Sequence, residues 1–143
     1  MNYIFHLLVI ILIPVILILF FIISILIKID SYGPIIHWSK RIGKGEKEFL
    51  MPKFRTMYTD TPQLASHLLE KKTNTITKIG SLLRQFSLDE VPQIYSILKG
   101  DMTLIGPRPA LFNQYDLINL RRDKNINNHK PGLTGWAQVN GRD

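Results

Sequence analysis

Asp89 and Glu90 are adjacent carboxylates placed where a helix is expected to begin, with Arg84 five residues before the pair and Arg108 in Gly106-Pro107-Arg108-Pro109 after it. A helix N-terminus favours negative charge, and capping is the common use of such residues. The surrounding cations point further. Phosphoryl transfer needs positive charge around the moving phosphate, an in-line nucleophile and commonly a divalent metal. One carboxylate could attack phosphorus and form an acyl phosphate, and its neighbour could hold Mg²⁺, a hard cation content with one or two protein oxygens. Spacing alone does not order the two roles.

Four cations could grip a diphosphate. The prolines around Arg108 restrict the backbone, so its planar guanidinium, suited to two phosphate oxygens, is offered from a stiff segment. Lys53 and Arg55 alternate with Phe54 and would share one strand face, and Arg84 completes the set. His6, His37, His67 and His129 have no metal-ligand spacing. No P-loop, GxGxxG or Ser nucleophile elbow is present, and the absence of cysteine excludes disulfides and Cys-based zinc sites.

Several elements must position these groups. Ile35–Ile42 and Glu48–Met57 flank Gly43-Lys44-Gly45 and read as a β-hairpin. Asp60-Thr61-Pro62 reads as a helix start, with Leu64, Leu68 and Leu69 on its apolar face. A short helix is expected over Ile76–Gln85. Ser87–Gly100 reads as a helix whose Val91, Ile94, Tyr95 and Leu98 form one buried stripe, capped by Ser87 or Asp89 and ending at Gly100. A further helix is expected from Ala110 to about Lys124, before the Gly-rich segment 131–143.

Ahead of all this lies a charge-free run from Leu7 to Ile27, enough for a helix of roughly 30 Å, the thickness of a bilayer's hydrocarbon core. No positive n-region or small-residue cleavage site marks it as a signal peptide. Pro14 predicts a kink. Hydropathy alone favours a crossing helix. Every formal charge lies beyond Ile27, so the net charge of +7 belongs to residues 28–143. Lys28, Lys40, Arg41, Lys44 and Lys47 follow the helix and place that side in the cytoplasm. The expected architecture is a small, mostly helical α/β domain, membrane-associated, with a hydrophobic helix over 1–30 and a catalytic domain over 31–143.

The segments KFRTM (Lys53–Met57), RQFSLDEVPQ (Arg84–Gln93), LKGDMTLIGPRPAL (Leu98–Leu111) and KPGLTGWAQVNGRD (Lys130–Asp143) together resemble the bacterial sugar transferases, the monotopic polyprenyl-phosphate phosphoglycosyl transferases. The resemblance implies transfer of a sugar-1-phosphate from a UDP-sugar to polyprenyl (undecaprenyl) phosphate with release of UMP, the first membrane step of capsular, exopolysaccharide or glycoconjugate synthesis. It implies Asp89 as the nucleophile that becomes the covalent phospho-sugar carrier and Glu90 as the Mg²⁺ ligand. Lys53, Arg55, Arg84 and Arg108 would hold phosphates or substrate. It further implies a re-entrant helix broken at proline, usually preceded by Ser where this chain has Ile13, and a catalytic domain on the cytoplasmic face of the bacterial inner membrane. Members usually continue beyond the position of Asp143, so an inactive membrane-anchored fragment is the alternative. A basic membrane-surface module is the other, and nucleic acid is not an expected partner. The transferred sugar and the oligomeric state are not written in these motifs.

Overall fold

The computed structural model describes residues 3–61 and 75–140, with side chains from Pro14 onward except that of Ala137. The expected helix over residues 62–69 therefore lies outside the described residues. The chain runs α1 (Tyr3–Asp30), β1 (Ile36–Ile42), a 3₁₀ turn (Lys44–Glu46), β2 (Glu48–Phe54), α2 (Lys78–Gln85), a 3₁₀ stretch (Leu88–Gln93) and α3 (Ile94–Lys99). β3 (Thr103–Ile105), α4 (Tyr115–Asp123), a second 3₁₀ turn (Ile126–Asn128), β4 (Gly132–Thr134) and α5 (Trp136–Asn140) follow.

The hairpin forms as its turn residues predict. β1 and β2 pair antiparallel from Ile36↔Phe54 to Ile42↔Glu48, and Gly45 supplies the left-handed φ of +64° that the turn needs. Pro52 stands opposite Trp38, which a strand tolerates at a sheet edge. On the other side of the hairpin, Ile42 N–H donates to Ala110 O at 3.0 Å and Phe112 N–H to Lys40 O at 3.3 Å. The helix expected from Ala110 is corrected by this pairing: residues 110–112 serve the sheet, and α4 starts only at Tyr115. β3 and β4 form a separate parallel pair, Thr103↔Gly132 and Ile105↔Thr134.

Two apolar clusters lie against the hairpin. Ile23 and Ile27 of α1 pack with Phe54 and Leu83, with Val91 and Leu88 beside them. Each such isoleucine contributes roughly 1.5–3 kcal/mol on burial. Met51, Ile97 and Met102 make the second cluster. The segment 88–99 thus contributes to both. Its expected stripe is corrected: Tyr95 is 54% and Leu98 42% exposed, whereas Gln93, Ser96 and Ile97 are buried. The cause is the 3₁₀ start, which advances about 120° per residue instead of 100° and rotates the later residues away from the face an α-helix would present.

α1 is joined to the rest by polar contacts as well. Asp30 Oδ2 accepts from Ile79 N–H at 2.9 Å, tying the end of α1 to the first turn of α2. Arg55 donates to Tyr32 O and Ser31 O, both at 2.7 Å, and to Ser31 Oγ at 2.8 Å. Lys28 Nζ donates to Gly33 O at 2.9 Å. Pro14 stands inside α1. Among the described residues no helix is long and apolar enough to cross a membrane. The described part of α1 still exposes Val15, Leu17, Ile18, Phe21, Ile22 and Ile25.

Candidate active site

The carboxylate pair sits in a 3₁₀ stretch rather than an α-helix. Ser87 takes a left-handed conformation, φ 56° and ψ 21°, and makes no side-chain cap, so the capping box is not formed. Pro92 lies inside this stretch and cannot donate a 3₁₀ bond there. The turn directs Asp89 inward, 8% exposed, toward β2.

Lys53, next to the end of β2, meets both acids. Its Nζ lies 2.7 Å from Glu90 Oε1 and 3.7 Å from Asp89 Oδ2. Burial holds the Asp89 carboxyl above its ordinary range, with the neighbouring Glu90 charge adding to the shift and Lys53 opposing it. Burial likewise pulls the Lys53 ammonium down, against the pull of Glu90 and Asp89. Charge is therefore expensive here and becomes tolerable through pairing.

Arg108 Nη1 approaches Glu90 Oε1 at 3.9 Å with its side chain 44% exposed. Arg84 donates from Nε to Thr56 Oγ1 at 2.9 Å and acts on Asp89 through its charge. Arg55 is separated from this group: its guanidinium is taken up by Ser31 and Tyr32 at the end of α1. The expected shared face for Lys53 and Arg55 fails because β2 ends at Phe54, and the chain turns before Arg55.

Arg41 belongs to the site although the motifs did not single it out. It lines a small, solvent-open cleft together with Lys53, Glu90, Arg108, Gln93 and Gln138. Its Nε donates to Ser39 Oγ at 3.0 Å and its Nη1 to Pro109 O at 3.1 Å. Burial and the Arg108 charge lower its pKa to about 10, so it remains a cation at neutral pH. The available signal was alternation, since His37, Ser39 and Arg41 share one face of β1; its decisive partner is a carbonyl 68 residues away. The cleft wall also depends on close backbone contact. A Cβ on Gly132 would lie 2.1 Å from Gly106 N, so only glycine lets β4 meet the Gly106-Pro107 backbone.

Lys53, Arg41 and Arg108 outnumber the carboxylates, Glu90 in the cleft and the buried Asp89 next to it, and the surplus positive charge suits an anion. Among the described residues no group of three or more His, Cys, Asp or Glu could hold a metal alone. These features define a small α/β domain in which Glu90 lines a cation-rich cleft and Asp89 is buried beside it, near Lys53.

A family model described as "Bacterial sugar transferase" matches residues 1–143. The chain belongs to the bacterial sugar transferase family. It is 43% identical over 130 residues to the uncharacterized sugar transferase EpsL of Bacillus subtilis (strain 168), covering 90% of this chain and 61% of that one. It is 41% identical over 126 residues to the UDP-glucose:undecaprenyl-phosphate glucose-1-phosphate transferase of Xanthomonas campestris pv. campestris, covering 83% and 25%. It is 36% identical over 118 residues to the UDP-N-acetylgalactosamine-undecaprenyl-phosphate N-acetylgalactosaminephosphotransferase of Aeromonas hydrophila, covering 81% and 28%. The chain spans between 25% and 61% of the length of these relatives.

Proposed function

We propose that this chain transfers a sugar-1-phosphate from a UDP-sugar to polyprenyl phosphate, releasing UMP, with α1 held in the cytoplasmic membrane as a re-entrant helix and the cleft on the cytoplasmic side. The observation that carries this reading is the buried Asp89 close to Lys53, which with Glu90, Arg41 and Arg108 lines the neighbouring cleft. Relatives named for undecaprenyl-phosphate sugar phosphotransfer support it.

In this reading Asp89 attacks the sugar-bearing phosphorus, the bond to the UMP oxygen breaks, and UMP leaves with that electron pair. A phosphate oxygen of the polyprenyl acceptor then attacks the same phosphorus, and Asp89 departs as a carboxylate. Lys53 lies within reach of Asp89 and steadies charge on the transferred group. Arg41 and Arg108 hold the nucleotide-side phosphate and favour its departure. Arg84 keeps Asp89 ionised by its charge.

Mg²⁺ fits this donor set. Glu90 offers hard oxygen donors at the cleft and already pairs with a cation, Lys53 at 2.7 Å, which an ion bound there would displace. Glu90, with Asp89, would hold the ion, and water and substrate oxygens would fill its remaining positions. When bound it would neutralise charge on the diphosphate.

The test is incubation of the chain in membranes with labelled UDP-sugar and Mg²⁺, with and without polyprenyl phosphate. Saturable UMP release and denaturation-resistant label are expected, the label disappearing in Asp89→Asn. Label that survives Asp89→Asn would remove Asp89 as the carrier, and absence of UMP release would overturn the transferase reading.

A further inference from the structure

The segment 107–110 holds the cleft arginine Arg108 between two residues that have no N–H to donate. Its anchoring comes from carbonyls instead. Pro107 O accepts from Gly132 N–H at 3.0 Å, and Arg108 O accepts from Arg121 Nη1 at 2.6 Å. Pro109 O accepts from Arg41 Nη1 at 3.1 Å, and Ala110 O from Ile42 N–H at 3.0 Å. Four consecutive carbonyls are thus gripped from β4, α4 and β1.

Arg121 differs from the other three donors. Gly132 and Arg41 line the cleft and Ile42 is main-chain sheet pairing, whereas Arg121 reaches Arg108 O from α4 and is absent from the described cleft lining. The helix that presents it is itself tied down. Arg122 Nε and Nη2 donate to the two oxygens of Glu46 at 2.7 and 2.5 Å, and Asn127 Nδ2 donates to Glu46 Oε1 at 2.9 Å. These bonds close a ring: from the hairpin turn to α4, from α4 to the Arg108 carbonyl, and from Pro109 back through Arg41 to the hairpin. The strands of that hairpin carry Arg41 and Lys53.

We propose that Arg121 is a positioning residue, which fixes the Arg108 backbone so that its guanidinium is aimed at a phosphate in the cleft; the proposal rests on the anion-binding reading given above. Arg108 needs such help because its side chain is long and 44% exposed, so the aim of the head group depends on where its main chain is held. The bond comes from a charged donor, one of the stronger kinds in a protein. Part of its strength is returned by water in an exposed setting, which leaves an effect of about tenfold or slightly less on anion affinity.

The test uses the full chain in lipid nanodiscs, with inorganic pyrophosphate and UMP titrated by calorimetry. Arg121→Met keeps the aliphatic stem and loses the donor; pyrophosphate affinity should fall about fivefold to tenfold. Arg121→Lys restores a donor and should return affinity to within about twofold of wild type. In an Arg108→Met background, Arg121→Met should change nothing further, because there is no guanidinium left to aim. An equal loss in both backgrounds would assign Arg121 to direct binding or general packing and overturn the proposal, as would unchanged affinity in Arg121→Met. Should Arg121→Met fail to fold, Arg121→Gln, too short to reach Arg108 O, carries the same comparison. A wild-type chain that binds neither anion overturns the transferase reading together with this proposal, whereas binding with no response to Arg121 overturns this proposal alone.

Discussion

Asp89 sits where its charge is costly, and that cost separates its proposed chemical role from its effect on stability. Burial raises its carboxyl pKa above the ordinary 3.8. An acid whose folded pKa exceeds its unfolded value destabilises the fold above the folded pKa, and the penalty vanishes below the unfolded one. Asp89→Asn is therefore expected to raise the thermal midpoint at neutral pH, while abolishing turnover. The gain should shrink as pH falls toward 3.8, which calorimetry at two pH values checks. A lower midpoint at neutral pH would mean that pairing with Lys53 outweighs desolvation. Arg55 supports a contrasting prediction. Its Nη1 and Nη2 donate to Ser31 and Tyr32, so Arg55→Met should lower the midpoint yet leave pyrophosphate affinity within about twofold, a pattern opposite to that of a phosphate ligand.

At the scale of elements, α2 is placed by a near contact of main chains. A Cβ on Gly80 would stand 2.1 Å from Thr56 O. Alanine favours helix by about 1 kcal/mol over glycine, whereas overpacking against an immovable backbone costs about 1–3 kcal/mol. The clash should win: Gly80→Ala is expected to lose about 1 kcal/mol or more in urea unfolding, and a stabilised variant would show that α2 can move. Local signals made several elements legible. Gly43-Lys44-Gly45 announced the hairpin, and Gly100, at φ 90°, ended α3 as expected. The carboxylate pair, Lys53 and Arg108 were legible by residue type and do converge. What local reading missed was imposed from a distance. Ala110–Phe112 pairs with β1 instead of starting a helix, the 3₁₀ stretch turned the stripe after Val91, and Arg41 is oriented by a carbonyl far along the chain. Spacing carries no trace of such contacts.

For the whole molecule, the apolar face of α1 and its polar joint to the domain belong together. Val15, Ile18, Phe21, Ile22 and Ile25 are exposed on a helix whose Ile23 and Ile27 are buried against Phe54 and Leu83. The membrane reading predicts both ends of α1 on the cytoplasmic side. Single cysteines at Asn2 and at the exposed Lys47 should both resist an impermeant thiol reagent in intact cells, and labelling at position 2 alone would show a crossing helix.

The contacts of Asp30 with α2 and of Arg55 with Ser31 and Tyr32 also bear on how the two substrates of the proposed reaction meet. A flexible tether would let the cleft sample many heights above a lipid surface. A joint fixed by main-chain and side-chain bonds on both sides gives it one height, so encounter with a lipid-borne acceptor becomes a search in a plane. The rate would then follow the acceptor's mole fraction in the bilayer, not its total amount in the tube. Added inert phospholipid should slow transfer even when enzyme and acceptor quantities are unchanged.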